Sequence, residues 1–268
     1  MSQNQKTYGP AAAPIIEELE SRRATLVSTD ELAAIKGVPP TSVALHSLIQ
    51  RLIRNGWLIP LARQGMYEFV PVRAGAYGSG DELRELEALA RAPNAPPFQV
   101  VLASAAFLRG YAPMAPSTGY VLISKEAGVR PRRLQERFRV IRTDPARIFG
   151  GEPIASGSRV PVSTASRLFI DAALFWRHAG DLRVRDHWLA AAAHDVDAAL
   201  TARWARKLGR TSVVRVGFLA ERFGPTQLAT LLLAHVERAA LVSFGPQGKG
   251  TWDPRWHVYD SLGIGLSR

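Results

Sequence analysis

Residues 50–71 read QRLIRNGWLIPLARQGMYEFVP. The spacing predicts an amphipathic helix that runs out at Asn55-Gly56, where a glycine takes the left-handed conformation that ends helices. An apolar stretch follows from Trp57. Arg63-Gln64-Gly65 then form a turn, and a second alternating stretch ends at Pro71. What a helix followed at once by a hairpin means depends on what precedes it.

Working back, the helix begins near Thr41. At 100° per residue Leu45, Leu48, Ile49, Leu52 and Ile53 share one arc. Opposite them lie Val43, Ser47, Gln50 and Arg54, flanked by His46 and Arg51. Earlier still, Pro14 opens an amphipathic helix with Ile15, Ile16 and Leu19 on one face, since a missing N–H costs nothing in a first turn. Val27-Ser28-Thr29-Asp30-Glu31-Leu32 is a helix start. Ser28 can cap, Glu31 can complete a capping box, and Val27 and Leu32 can staple it. That short helix ends at Gly37, and Val38-Pro39-Pro40 turn the chain into the next one.

Helix, short helix, turn, longer helix and hairpin is the order of a winged helix-turn-helix. In that arrangement Thr41, Ser42, Val43, His46, Ser47 and Gln50 approach base edges, because small and hydrogen-bonding side chains permit close contact. Arg51 and Arg54 come later, where phosphates lie. Arg63 and Gln64 at the hairpin tip reach the minor groove or the backbone. The same residue types also suit a solvated helix face, and winged helices bind proteins as well as DNA.

The chain has 268 residues, 47% hydrophobic and 21% charged, which suffices for a sizeable core in one large or two ordinary domains. It has no cysteine, which excludes disulfides, Cys-based zinc sites and thiol nucleophiles, and fits a reducing compartment. The start, MSQNQKTYGPAAAP, lacks the basic and apolar regions of a signal peptide. The longest apolar runs fall far below the ~18 residues of a membrane span. A cytoplasmic location is expected, with no membrane partner.

The formal net charge is +11 and the pI about 10.6, which favours polyanions, chiefly nucleic acid. Arg supplies 29 of the 34 cations, but a preference for Arg over Lys does not create an excess over Asp and Glu. The charge is unevenly placed. Residues 1–75 carry 8 cations and 6 anions, 76–126 carry 4 and 5, 127–150 carry 7 and 2, and 151–268 carry 15 and 10. Most of the excess lies outside the segment expected to read DNA.

The expected organisation is α+β, an N-terminal winged helix-turn-helix followed by a larger mixed α/β second domain. Its parts are residues 1–74, the winged helix; 75–97, a linker (GAYGSG at 75–80) and a connecting helix over Asp81–Arg91; and 98–268, the second domain. Strands are expected at Phe98–Leu102, Gly119–Ser124 and Phe138–Thr143, with a hairpin from Ile154 to Pro161. Ser163 is expected to cap a helix reaching about Trp176, with Leu168, Ala172 and Phe175 inward. Helices follow at about Arg185–Ala193, Val196–Lys207, Ser212–Phe223 and Pro225–Arg238. A closing hairpin or strand pair around GPQGKG spans Leu241 to Tyr259.

Several stretches together resemble the AbiEi-type abortive-infection antitoxins, which are transcriptional regulators of type IV toxin–antitoxin pairs. The resemblance rests on Arg54-Asn55-Gly56-Trp57-Leu58, on Gly65-Met66-Tyr67-Glu68-Phe69-Val70-Pro71 and on Ala103–Tyr111. It also rests on Val162-Ser163-Thr164-Ala165-Ser166-Arg167 before an apolar helix with Asp171, on Arg215-Val216-Gly217-Phe218-Leu219, and on Gly250-Thr251-Trp252-Asp253-Pro254. It covers most of the chain, through loose and mostly structural motifs. It implies a repressor that binds its own promoter, double-stranded DNA expected to carry inverted repeats, and a co-encoded nucleotidyltransferase-like toxin as functional partner. It supplies no catalytic residue.

No enzyme motif is present, and no cofactor is expected. His187 and His194, seven apart with Asp186, Asp195 and Asp197 nearby, could share a helix face, but no third metal ligand is fixed. The GPQGKG segment lacks phosphate-loop spacing and suits a turn. The densest basic run is Arg130, Arg132, Arg133, Arg137, Arg139, Arg142 and Arg147. With Arg137 and Arg139 alternating on one strand face, it would be a second phosphate-binding patch, with Arg130, Arg132 and Arg133 as its leading contacts. It equally suits a solvated edge, an acidic protein or RNA. Direct neutralisation of a toxin by protein contact, or processing of nucleic acid, are the alternative functions.

Overall fold

The computed structural model of the chain describes residues 9–71, 83–91, 95–126, 132–183, 187–236, 241–246 and 249–266. The linker expected at 75–80, the start of the helix expected at Asp81, and Arg130 lie outside these residues. The chain divides into two compact units, Met1–Ala95 with Val129–Arg137, and Pro96–Gly128 with Phe138–Arg268. Both mix helices and sheet, the α+β character expected.

The first unit begins α1 (Ala13–Ser21), β1 (Leu26–Ser28), α2 (Thr29–Lys36) and α3 (Val43–Arg54), followed by β2 (Leu58–Pro60), β3 (Met66–Phe69) and α4 (Arg84–Ala90). The capping box forms as its sequence requires. Ser28 Oγ accepts from the Glu31 N–H at 3.1 Å, and the Glu31 carboxylate accepts from the Ser28 N–H at 2.6 Å. Gly37, at φ +70°, ends α2. Val27 and Ser28 also do something the local pattern did not announce. They form β1, which pairs antiparallel with β3, Val27 opposite Tyr67. β3 is thus the central strand in the order β1-β3-β2. The core joins Ile15, Ile16 and Leu19 of α1 to Leu32, Leu45, Leu48, Ile49, Leu52, Trp57 and Phe69. Trp57 is wholly buried, its ring stacked 6.3 Å from Phe69. α4 extends this unit, for Ala88 packs with Leu26, Leu61 and Met66, and Glu85 accepts from the Ala62 N–H at 2.6 Å. The helix–strand–helix region fits a winged helix-turn-helix.

The second unit contains β4 (Phe98–Val100), α5 (Leu102–Leu108) and β5 (Gly119–Ser124). The chain then contributes α6 (Arg132–Arg137) to the first unit and returns as β6 (Phe138–Thr143), β7 (Gly151–Glu152) and β8 (Val162–Ser163). These strands form a five-stranded sheet in the order β6-β5-β4-β8-β7. β5 and β6 run parallel with Gly119 opposite Phe138, and a Cβ on Gly119 would fall 2.5 Å from the Phe138 ring. There follow α7 (Ala165–Leu174), α8 (Trp188–Ala192), α9 (Ala198–Lys207), α10 (Arg210–Phe223) and α11 (Thr226–Leu233). Last come β9 (Val242–Phe244), β10 (Thr251–Asp253) and β11 (Val258–Asp260). α7 is buried from Ala165 to Ala173, Arg167 and Asp171 included, so more of it is covered than the single face of Leu168 and Ala172.

Four expectations change. Thr164, not Ser163, caps α7, accepting from the Arg167 N–H at 3.3 Å, while Ser163 ends β8 with its hydroxyl in a buried network. α7 stops at Leu174, so Phe175 is its C-cap and only half-buried. Arg137 closes α6 and does not alternate with Arg139 along a strand, because RRLQER is helix-forming and the β-branched Val140 and Ile141 begin to favour strand only after it. The strands flanking GPQGKG are not partners. β9 runs parallel to β11, and the closing hairpin is β10–β11. Trp256, wholly buried between these two strands, lies against Gly217 of α10, where a Cβ would overlap its ring.

Candidate nucleic-acid interface

The amphipathic pattern of α3 becomes two faces. Leu45, Leu48, Ile49 and Leu52 are buried, whereas Val43, Ala44, His46, Ser47, Gln50, Arg51 and Arg54 are exposed. Thr41 is exposed and Ser42 partly so. Ser42 is the N-cap residue, but its side chain makes no capping bond. Its carbonyl accepts from the His46 N–H at 3.1 Å and lies 2.9 Å from His46 Nδ1. A carbonyl only accepts, so Nδ1 carries the proton, and Nε2 of a neutral ring is left as an acceptor. Lys36 Nζ donates to the Ala44 carbonyl at 3.3 Å, tying the end of α2 to the first turn of α3. Arg51 and Arg54 occupy the last turn, where a cation also complements the helix dipole.

In the hairpin Arg63 is partly exposed and Gln64 exposed. The Arg63 carbonyl accepts from the Met66 N–H at 3.2 Å, and Gly65 takes φ +77°. The Gly65 carbonyl in turn accepts from the Thr29 N–H at 2.8 Å and Thr29 Oγ1 at 3.3 Å. The turn is therefore tied to the first turn of α2. All ten site residues expected between Thr41 and Gln64 sit in this one unit.

The basic run is divided. Arg132 and Arg133 lie on α6, in the first unit, with Arg137 exposed at its end. Arg139, Arg142 and Arg147 are exposed in the second unit. There the fold adds residues that sequence reasoning missed. A 3-10 turn at Trp176–His178 follows α7, with the Arg177 guanidinium 5.1 Å from the Trp176 ring centroid. His178 titrates below its ordinary range, because burial and then the charges of Arg139 and Arg177 disfavour its cation. Arg139 and Arg177, remote in sequence, thus share one field, and only the chain path could have revealed it.

Other candidates resolve into structure. His187 caps α8, its Nδ1 accepting from the Leu189 N–H at 3.3 Å while Nε2 lies 3.2 Å from the Ala179 carbonyl. His194 is exposed, and no cluster of three metal-ligating side chains occurs among the described residues. Arg167 and Asp171 form a fully buried ion pair at 2.8 Å. Ser163 Oγ donates to Asp171 at 2.6 Å, Gln99 Nε2 donates to Ser163 Oγ at 2.6 Å, and the Arg167 guanidinium donates to the Arg147 carbonyl at 2.7 Å and covers Phe149. Burial raises the Asp171 carboxyl and lowers Arg167, each opposed by its partner. This network joins β4, β8 and α7. No described helix is long and apolar enough to cross a membrane.

The fold thus defines a mixed α+β protein whose N-terminal region fits a winged helix-turn-helix. Residues 14–70 match the family described as "Transcriptional regulator, AbiEi antitoxin", as the resemblance implied. The match runs from α1 through β3, and the family is one of regulators and antitoxins rather than of enzymes. In fold, the chain is similar to the crystal structure of the RV2827C protein from Mycobacterium tuberculosis. The TM-score is 0.78 at 21% identity, over 98% of this chain and 96% of that one. No curated protein matches the sequence.

Proposed function

We propose that the chain is a DNA-binding transcriptional repressor that serves as the antitoxin of a toxin–antitoxin pair and represses its own operon. The observation that carries this reading is the exposed face of α3, polar at its start and cationic at its end, in a region that fits a winged helix-turn-helix and whose β2–β3 hairpin bears Arg63 and Gln64. In this reading α3 lies in the major groove, Thr41 to Gln50 meet base edges, and Arg51, Arg54, Arg63 and Gln64 hold the backbone. Arg130, Arg132 and Arg133 add phosphate contacts. The partners are the chain's own promoter, in inverted repeats, and a nucleotidyltransferase-like toxin, in the cytoplasm. The matched family supports the regulator class.

The test is a gel shift on the gene's own upstream DNA across a salt series. Arg54→Ala and Arg63→Ala should each weaken binding and lower the salt slope by about one. Unchanged binding in both would overturn the docking. A second reading, direct contact with the toxin, is favoured by Leu241 and Trp252, exposed by 59% and 42% at the C-terminal sheet. Co-purification with the neighbouring gene's product, lost on Trp252→Ala, would support it.

A further inference from the structure

Val43 opens α3 with 81% of its surface exposed, the one large hydrophobic side chain so exposed among the described residues of the first unit. Its position has no packing role, since the inner face is supplied by Leu45, Leu48, Ile49 and Leu52. A β-branched residue in a helix costs side-chain freedom, so neither propensity nor core packing accounts for it. The residues that share its face, Ser47 and Gln50, follow at i+4 and i+7, about 6 and 10 Å along the axis. Both are exposed and hydrogen-bonding. A protein-binding hot spot would instead surround the valine with aromatic or apolar neighbours.

We infer that Val43 reads the 5-methyl group of a thymine, making it a specificity-determining residue of the DNA interface. The inference rests on the reading of α3 as the DNA-contacting helix. The major-groove edge of a base pair offers hydrogen-bond donors and acceptors and one apolar group, the thymine methyl. An isolated apolar side chain at the start of such a helix, amid polar ones, complements that group and no other on the base edges. Ser42 and Ser47, on either side of Val43 along the helix, are short enough to let the helix approach.

The experiment uses the full chain and two DNA sources, its own upstream region and a random duplex pool taken through repeated capture. Each thymine of the bound site is then replaced singly by uracil, which removes only the methyl. The expected result is a thymine in each half-site whose replacement weakens binding about fourfold, the worth of one buried methyl. Val43→Ser should lose affinity for the thymine duplex and bind thymine and uracil duplexes equally. Val43→Thr, which differs from the serine variant by one methyl, should restore most of the discrimination. Unaltered thermal melting checks the fold of both variants. Binding with no uracil-sensitive position, or discrimination that survives Val43→Ser, overturns the thymine contact while leaving DNA binding intact. Capture of no DNA from either source overturns the DNA reading itself, and this inference with it.

Discussion

At the scale of single residues, Arg167 and Asp171 separate what holds the second unit together from what faces solvent. Both are wholly buried, and Asp171 is held by Ser163 as well as by Arg167. Removing one partner leaves a desolvated charge, so Arg167→Ala should cost about 3–5 kcal/mol in urea denaturation. The exposed Arg22–Glu18 pair, one helical turn of α1, should cost less than about 1 kcal/mol on Arg22→Ala. Replacing both buried charges together, as Arg167→Met with Asp171→Leu, should come close to neutral, because the pair has desolvation to recover. A double variant as unstable as the single one would refute this account. Such a pair could have been suspected from the i,i+4 spacing of Arg167 and Asp171 in an apolar helix, but Ser163, which donates to Asp171, is itself held by Gln99 on β4, and that link leaves no mark in the local pattern.

At the scale of elements, α8 shows how one side chain couples a short helix to pH. His187 caps it and lies against Trp188 and Phe223, with ring centroids at 4.5 and 5.7 Å. Burial, opposed by the Ala179 carbonyl and Asp181, lowers its pKa from 6.5 to about 4. Above pH 6.5 the ring is neutral in folded and unfolded chains alike, and its contribution is fully present. As pH falls from 6.5 towards 4 the unfolded chain takes up a proton that the folded one does not, and stability drops, by roughly 3 kcal/mol at pH 4. His187→Asn, which retains a capping oxygen, should flatten the loss across that window in denaturation midpoints. Parallel pH profiles for the two proteins would exclude the histidine as its source.

Elements were legible in proportion to how local their causes are. α2 followed from Ser28 and Glu31, α3 from its five apolar positions, and β5 and β6 from stretches rich in aromatic and β-branched residues. β1 escaped because it is three residues long and its partner Tyr67 lies on the far side of two helices. The β9–β11 pairing escaped because parallel partners must be non-neighbours, and nothing in Val242–Phe244 names Val258–Asp260 as its mate. The candidate site followed the same rule. The exposed face of α3 was visible as periodicity, whereas Arg177 joins Arg139 only through the return of the chain after α7.

For the whole molecule, the net charge of +11 bears on DNA affinity through where it sits. Arg139 and Arg177 lie in the second unit, both exposed, and the charges of both bear on His178. If this field meets phosphates, Arg139→Ala with Arg177→Ala should lower the salt slope of binding by about 2 and leave the preference among DNA sequences unchanged. An unaltered slope would assign these cations another role.

The first unit is not one continuous stretch of chain, since it takes in Val129–Arg137 after Pro96–Gly128 has gone to the second. Synthesis therefore cannot supply its last helix until α5 and the strands beside it have emerged. At about 5–20 residues per second, residues 96–137 take roughly 2–8 s to make. For that interval the nascent N-terminal region lacks its final element while residues of the second unit are being made. The order of translation thus interleaves the assembly of the two units.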